Sequence, residues 1–312
     1  MEDASTPRRW VAGVPFDFVA PDDVLEMIQQ WRRSGRREFI AVNNPNAVIC
    51  CRSDPQMMRA TMRAALALPD GVGVVLAALM LGYYRQHRVT GPALMLHLCD
   101  RGRKYGLRHY FYGSTPNIAA RLTQQMGRRF AGMKIAGVYS PPFSSNPREE
   151  DELIERINKT RPDIVWVGLG CPKQEKWMLA NVGRIDAPAM IGVGAAFDFH
   201  SGVMKWAPWW VRKAGMEWLF RLAMEPQRMW RRNVRGAQFV TLVVQEAMGR
   251  FLWPNVAGIA GALAEARPSL PKLSVWVKKV NRWFDEEMEA PAAPPVVRIG
   301  EPEPQMQTQK AA

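Results

Sequence analysis

The feature that most constrains this chain is a repeated unit: a short, unbroken apolar run that ends in small or polar residues and is followed by a helix-like segment. Ile164-Val165-Trp166-Val167 runs into Gly168-Leu169-Gly170, and Phe39-Ile40-Ala41-Val42 runs into Asn43-Asn44-Pro45-Asn46. A strand with no polar alternation is covered on both faces, as in a parallel sheet sandwiched by helices. The unit recurs at "RHYFYGS", "MKIAGVYS" and "APAMIGVGAAFDF". The intervening segments read as helices: a Met- and Ala-rich stretch at about 55–67, "GPALMLHLCDRGRKYG", "TPNIAARLTQQMGRRF", "PREEDELIERINKTR" and "KQEKWMLANVG". Thr115-Pro116 supplies a cap and a first-turn proline, and Glu149 and Glu150 place acid where a helix N-terminus favours it. The alternation specifies an α/β fold, a Rossmann-like doubly wound parallel sheet, over residues 14–200, with residues 1–13 as a flexible lead.

Ligands of such sheets bind beyond the carboxyl ends of the strands. The residues there are Asn44 and Asn46, Asp70-Gly71, Gly113-Ser114, Gly168 to Glu175, and Gly192 through Gly194 to Asp198. Glycines admit close approach of backbone N–H groups to phosphate, and amides or carboxylates hold a ribose or a base, so the set suits a nucleotide. The stretch "GLGCPKQEKWM" reads in two ways. Lys173, Gln174 and Glu175 are ligand groups at the crevice, or they are the polar first turn of a helix opened by Pro172. Asp70 is likewise a turn residue before glycine, or a carboxylate in a glycine-lined cleft able to deprotonate a hydroxyl. The sequence has no GxGxxG fingerprint after its first strand, no GxxxxGK[ST] loop and no GxSxG elbow, which weighs against dinucleotide-dependent, ATPase and esterase chemistry.

Residues 201–253 change character. Trp206, Trp209, Trp210, Trp218, Trp230 and Trp253 fall there, and between 203 and 235 eight basic residues face two acidic ones. The spacing of Arg221, Arg228, Arg231 and Arg232 puts them on one face of a helix. A basic helix with bulky aromatics has the composition of an interfacial membrane segment; a core-packing helix with a solvated basic face, and a nucleic-acid-binding helix, are the alternatives. The whole chain carries 42 Lys+Arg against 29 Asp+Glu, a formal net charge of +13, which favours an anionic partner. A further helical segment is expected over 254–288, around "LSVWVKKVNRWF", and a disordered Pro/Ala-rich tail over 289–312.

Cys50, Cys51, Cys99 and Cys171 show no CxxC or Cys/His ligand spacing, so no metal site is expected and a reduced, cytoplasmic setting fits. The N-terminus lacks a signal-peptide core. No apolar run approaches the roughly 20 residues of a spanning helix; the longest, Val72 to Tyr84, is interrupted by Gly73 and Gly82.

In order along the chain, "LPDGVGVV", "RVTGPALM", "FYGSTPNIAARL", "PDIVWVGLGCPKQEKWM", "IGVGAAFDFHSGVMKWAPWW" and "GMEWLFRLAMEPQRMWRR" resemble the WecG/TagA/CpsF glycosyltransferase family, from about residue 14 to 240. The resemblance implies transfer of a sugar from a UDP-sugar to a polyprenyl-pyrophosphate-linked saccharide at the cytoplasmic face of the membrane. It implies no metal or other cofactor, no nucleic-acid partner, peripheral membrane attachment and self-association. It makes Asp70 the general base. It assigns Asn44, Asn46, Gly113, Gly168, Gly170, Lys173, Gln174, Glu175, Gly192, Gly194 and Asp198 to the donor, and Arg88, Arg221, Arg228 and Arg231 to the acceptor pyrophosphate and membrane. Two positions depart from the family pattern. Many relatives carry Thr-x-Asn where this chain has Asn44-Pro45-Asn46, so any role of that threonine passes to Asn44 or lapses. Many have Asp where this chain has Pro92. Exopolysaccharide assembly, with UDP-glucose as a candidate donor, is expected over wall teichoic acid. A non-catalytic basic protein binding membrane or nucleic acid is the rival reading.

Overall fold

A computed structural model describes residues 8–83, 88–141, 147–213 and 216–252. The expected segments 254–288 and 289–312, and the first residues of the expected lead, lie outside the described residues.

The chain enters through a small antiparallel hairpin, β1 (Arg9–Val11) and β2 (Val14–Phe16). Residues 9–11, expected in a flexible lead, are therefore a paired strand: Val11 and Val14 are fully buried and give the hairpin an apolar anchor. Helix α1 (Pro21–Ser34) opens on Pro21, takes a hydrogen bond from the Ala20 N–H to Asp23 (2.8 Å), and ends on Gly35 at φ +70°. Strand β3 (Glu38–Asn43) leads into α2 (Pro45–Ser53), α3 (Pro55–Arg63) and β4 (Leu66–Pro69). The expected single helix at 55–67 thus ends at Arg63 and yields to a strand, and Asn44-Pro45-Asn46 is a helix start. Asn44 Oδ1 accepts from the Ala47 N–H (3.1 Å), and Asp54 Oδ1 accepts from those of Gln56 and Met57 (3.0 and 3.2 Å), each cap preceding a first-position proline.

Then come α4 (Val72–Met80), α5 (Gly91–Arg101), β5 (Arg108–Gly113), α6 (Pro116–Arg129), β6 (Lys134–Tyr139) and α7 (Pro147–Lys159). Next are β7 (Ile164–Gly168), α8 (Lys173–Asn181), β8 (Ala189–Gly192) and α9 (Ala196–His200). Three helices follow: α10 (Trp209–Lys213), α11 (Glu217–Met224) and α12 (Pro226–Leu252).

The main sheet has six strands in the order β4-β3-β8-β7-β5-β6, every pair parallel. Side chains alternate across it, which fixes two cores. Ile40, Val42, Phe111, Trp166 and Ile191 pack under α1, α5, α6 and α9. Phe39, Ala41, Tyr110, Val165 and Met190 pack against α7 and α8. This is the expected doubly wound parallel sheet.

A third core joins the hairpin, α2 and α4 to the far C-terminal helix: Phe239, Val243 and Ala247 of α12 are buried against Ala47, Val48, Val74 and Ala77. The Ala12 N–H donates to Glu246 Oε2 (2.7 Å), and Arg250 donates to the Tyr83 hydroxyl (3.3 Å). The distal half of the 201–253 segment is therefore built into the body of the molecule. The expected single basic face also divides: Glu225 and Pro226 break the helix, so Arg221 lies on α11 while Arg228, Arg231 and Arg232 lie on α12.

Candidate active site at the carboxyl edge of the sheet

All six strands deliver their carboxyl ends to one edge. Asp70 follows β4, Asn44 and Asn46 follow β3, Gly192 ends β8 with Gly194 just beyond, Gly168 ends β7 with Gly170 just beyond, and Gly113 ends β5. At about 4.8 Å per strand, the row from Asp70 to Gly113 spans on the order of 19 Å. Positions as far apart in the chain as 44 and 194 are thus placed side by side by the topology.

Asp70 sits at a junction. Its N–H donates to the Asn43 carbonyl (2.9 Å), continuing the β3–β4 pairing one residue past the strand. Gly71 then turns at φ +86° into α4, so the Asp70 carboxylate precedes a helix N-terminus. Asp70 is half-buried. The Val89 N–H donates to the Pro69 carbonyl (3.3 Å), which brings Arg88 alongside. Arg88 is nearly buried and pairs with Glu217 of α11 at 3.0 Å. Arg221, one turn further on α11, lies over the Phe199 ring at 5.5 Å, beside Asp198. The α11 helix therefore reaches both the Asp70 side and the Asp198 side of the edge. Arg228 and Arg231 lie on the α12 backbone, and their side chains fall outside the described residues.

Close packing explains the glycines. A Cβ on Gly113 would lie 2.6 Å from the Gly168 backbone, one on Gly168 2.7 Å from the Phe197 ring, and one on Gly192 2.7 Å from Met178. These positions hold neighbouring elements together at the edge, whatever else they do.

The "PKQE" stretch is the first turn of a helix, with one side chain turned out and two turned in. Lys173 is the exposed first residue of α8. Gln174 turns inward: its Oε1 accepts the N–H groups of Gly170 (3.2 Å) and Gly194 (3.1 Å), and its Nε2 donates to Glu175 Oε1 (2.8 Å). Glu175 is fully buried, and its Oε2 has no hydrogen-bond partner. Burial pushes its pKa up to about 7, against the lowering effect of the Gln174 and backbone hydrogen bonds, and Cys50 adds to the rise.

Around this pair lies a polar cluster that the sequence did not announce. Asn43 Nδ2 donates to Thr61 Oγ1 (3.3 Å), which also meets Cys51 Sγ (3.3 Å), and Cys171 packs beside Cys50 and Cys51. Burial raises the Cys51 thiol to about 11, and contact with Cys50 and burial raise that of Cys171 too. These thiols are neutral space-fillers near pH 7. Residues 43, 51, 61, 171 and 175 share no local motif, so only the fold could bring them together. Asn46 donates from Nδ2 to Cys50 Sγ (3.9 Å) and accepts at Oδ1 from Arg235 of α12 (3.1 Å), a second tie between edge and C-terminal segment.

Asp198 lies in α9 rather than in a strand end: its carbonyl accepts from the Met204 N–H (3.0 Å) and the Ser201 hydroxyl (3.0 Å). Pro92 lies in the first turn of α5, and its carbonyl accepts from His200 Nε2 (2.9 Å). Burial holds His200 down at about 4, so the ring is neutral and donates from that nitrogen. Among the described residues, no three His, Cys, Asp or Glu side chains converge as ligands for a metal ion.

A family model described as the glycosyl transferase WecG/TagA/CpsF family matches residues 9–251. A curated protein of Bacillus spizizenii, named N-acetylglucosaminyldiphosphoundecaprenol N-acetyl-beta-D-mannosaminyltransferase, is 32% identical over 207 residues, or 66% of this chain and 79% of the relative. A Staphylococcus aureus protein of the same name is 26% identical over 232 residues, or 74% of this chain and 90% of the relative.

Proposed function

This chain belongs to the WecG/TagA/CpsF glycosyltransferase family, and from that premise we propose that it is an inverting, UDP-sugar-dependent transferase acting on a polyprenyl-pyrophosphate-linked saccharide. The observation that carries the reading is the position of Asp70, a half-buried carboxylate at the sheet's carboxyl edge between a strand end and a helix N-terminus. The donor lies along the row of strand ends. Asp70 accepts the proton of the acceptor hydroxyl as that oxygen attacks the anomeric carbon from the side opposite UDP. Charge on the departing diphosphate falls to cationic side chains, with Arg88 and Arg221 at the edge, because the N–H groups of Gly170 and Gly194 already point at Gln174. The mechanism needs no metal and no cofactor.

The relatives' name makes an N-acetylmannosaminyl donor and an N-acetylglucosaminyl-diphospholipid acceptor the first pair to try. UDP-glucose in exopolysaccharide assembly is the second. The enzyme works at the inner face of the membrane, held peripherally. No helix among the described residues is long and apolar enough to cross a membrane. What supports surface attachment is the exposure of Trp209, Trp210, Trp218 and Trp230 in a basic segment. Self-association through this segment is part of the proposal.

The test is a panel of UDP-sugars on an undecaprenyl-pyrophosphate-linked N-acetylglucosamine, read as UDP release and lipid product, with wild type and Asp70→Asn. Asp70→Asn is expected to lower kcat by about 10²–10⁴-fold with an unchanged melting temperature. Undiminished turnover in this variant would remove Asp70 from the chemistry. Absence of UDP release from every donor would favour a non-catalytic binding protein. Transfer should persist in EDTA.

A further inference from the structure

We propose that Gln174 and Glu175 act together as the positioning unit of the donor site: Gln174 fixes the spacing between the β7–α8 and β8–α9 loops, and Glu175 fixes which way the Gln174 amide faces. The proposal rests on the donor reading above for its catalytic consequence, but its structural part stands alone.

The geometry is specific. A primary amide has one acceptor end and one donor end, and the two are interchangeable in shape. Here the donor end meets Glu175 Oε1 at 2.8 Å, which leaves Gln174 Oε1 facing two backbone N–H groups from two different loops. Both of those residues, Gly170 at φ +79° and Gly194 at φ +49°, sit in the left-handed region, where the loops reverse direction. A Cβ on Gly192 would lie 3.0 Å from Gln174 Nε2, so the amide is wedged against β8 as well as bonded to the loop beyond it. Gln174 is almost fully buried, and its position is over-determined by three hydrogen bonds.

The groups that face Glu175 are consistent with an orienting role. On its own helix it meets Gln174; the other groups acting on it include the thiol of Cys50 from α2, and Glu175 in turn acts on Cys51 of α2 and on Cys171 of the β7–α8 loop. Arg235 of α12 touches Cys50 Sγ at 3.5 Å. A carboxyl group buried beside the Cys51 and Cys171 thiols, which burial keeps neutral, is a poor charge carrier and a good fixed acceptor. Its second oxygen, Oε2, is buried without a partner. That atom is the cost of placing an acceptor for the amide at a depth where solvent does not compete.

Two variants separate positioning from direct contact with the donor. Gln174→Met removes both ends of the amide at similar length. It is expected to speed hydrogen exchange at the Gly170 and Gly194 amides together, by tenfold or more. It should raise the KM for the sugar nucleotide and the Kd for UDP by at least tenfold, with the KM for the lipid acceptor within twofold. The exchanged pair Gln174→Glu/Glu175→Gln rebuilds the chain in reverse: a carboxylate at 174 accepts from Gly170, Gly194 and the new amide at 175. It should restore slow exchange and UDP affinity, whereas Gln174→Glu alone sets two carboxyl groups against each other and should not.

Unchanged exchange at Gly170 and Gly194 in Gln174→Met overturns the clamp. Restored exchange without restored UDP affinity in the exchanged pair overturns the positioning role, because it means the amide itself touches the donor. Failure of wild type to bind UDP defeats the donor reading while the exchange measurement still decides the clamp.

Discussion

Residues 164–200 and residues 203–252 solve opposite problems. In the first region the polar side chains go in: Gln174, Glu175 and Asn181 are buried, and hydrogen bonds donated to Gln174 Oε1 draw two loops onto one amide. In the second, large apolar side chains go out: Trp209 is 68% exposed and Trp230 65%, with Trp210 and Trp218 close behind. The first region ties its buried polar side chains to backbone and side chains of its own. The second leaves apolar area uncovered that a chain alone in water has no reason to display. Yet the second region is divided within itself. One face of α12 carries Phe239, Val243 and Ala247 into the core, while Val240, Val244 and Met248 on another face are exposed. The border between body and appendage runs along a helix instead of across the chain at residue 201.

The largest expected effect tests that border. Phe239→Ala should cost about 3–5 kcal/mol, the usual range for removing a buried aromatic ring. It should show as a large drop in melting temperature, even though residue 239 lies well inside a segment whose composition suggests a detachable membrane module. A variant as stable as wild type would mean that α12 only rests on the body, and would return the border to residue 201. By the same argument, deletion of residues 203–252 should strip the cover from Val48 and Val74 and leave an aggregating remainder.

The next effect sharpens the first region. Burial raises the folded-state pKa of Glu175 from 4.5 to about 7. An acid with a raised folded pKa binds its proton in the native state where the unfolded chain has already lost it. Stability from this group therefore falls as pH rises from about 4.5 to about 7 and is flat above. The shift corresponds to about 3 kcal/mol across that window. Glu175→Gln cannot ionise, so its melting temperature should match wild type near pH 4.5 and exceed it at pH 8. Parallel curves would show that Glu175 is ionised throughout and that its buried oxygen finds a donor.

How far the sequence anticipated these regions follows from how local their signals are. Unbroken apolar runs such as Ile164–Val167 and cap-proline pairs such as Thr115-Pro116 are contiguous, and they announced the sheet, its helices and the edge where the strands end. The helix break at Glu225-Pro226 is equally local, and the periodic arginine spacing of 221–232 runs across it. The Asn43–Thr61–Cys51 cluster had no local signal, since each residue alone reads as a core or turn residue and only strand order unites them. For Gln174, the sequence placed the residue at the crevice but not the direction of its amide, because the first turn of a helix can present a side chain to solvent or to the neighbouring loop. Two backbone N–H groups from loops more than 20 residues apart decided it.

The smallest effect on stability belongs to the tryptophans, and the contrast with Phe239 is the point. Trp209 and Trp210 open α10 with their rings mostly in solvent. Replacing both with Ser removes little packing, so the melting temperature should move by no more than surface substitutions do, roughly 0.5 kcal/mol each. If their exposure serves a membrane, the same variant should bind anionic phosphatidylglycerol vesicles at least tenfold more weakly, while wild-type binding weakens with added salt as its basic residues are screened. Turnover of a water-soluble, short-chain acceptor should be unaffected, because neither ring belongs to the row of strand ends. Equal vesicle binding by wild type and variant would leave self-association as the reason for the exposed rings, read directly as a concentration-dependent change in sedimentation that the variant abolishes.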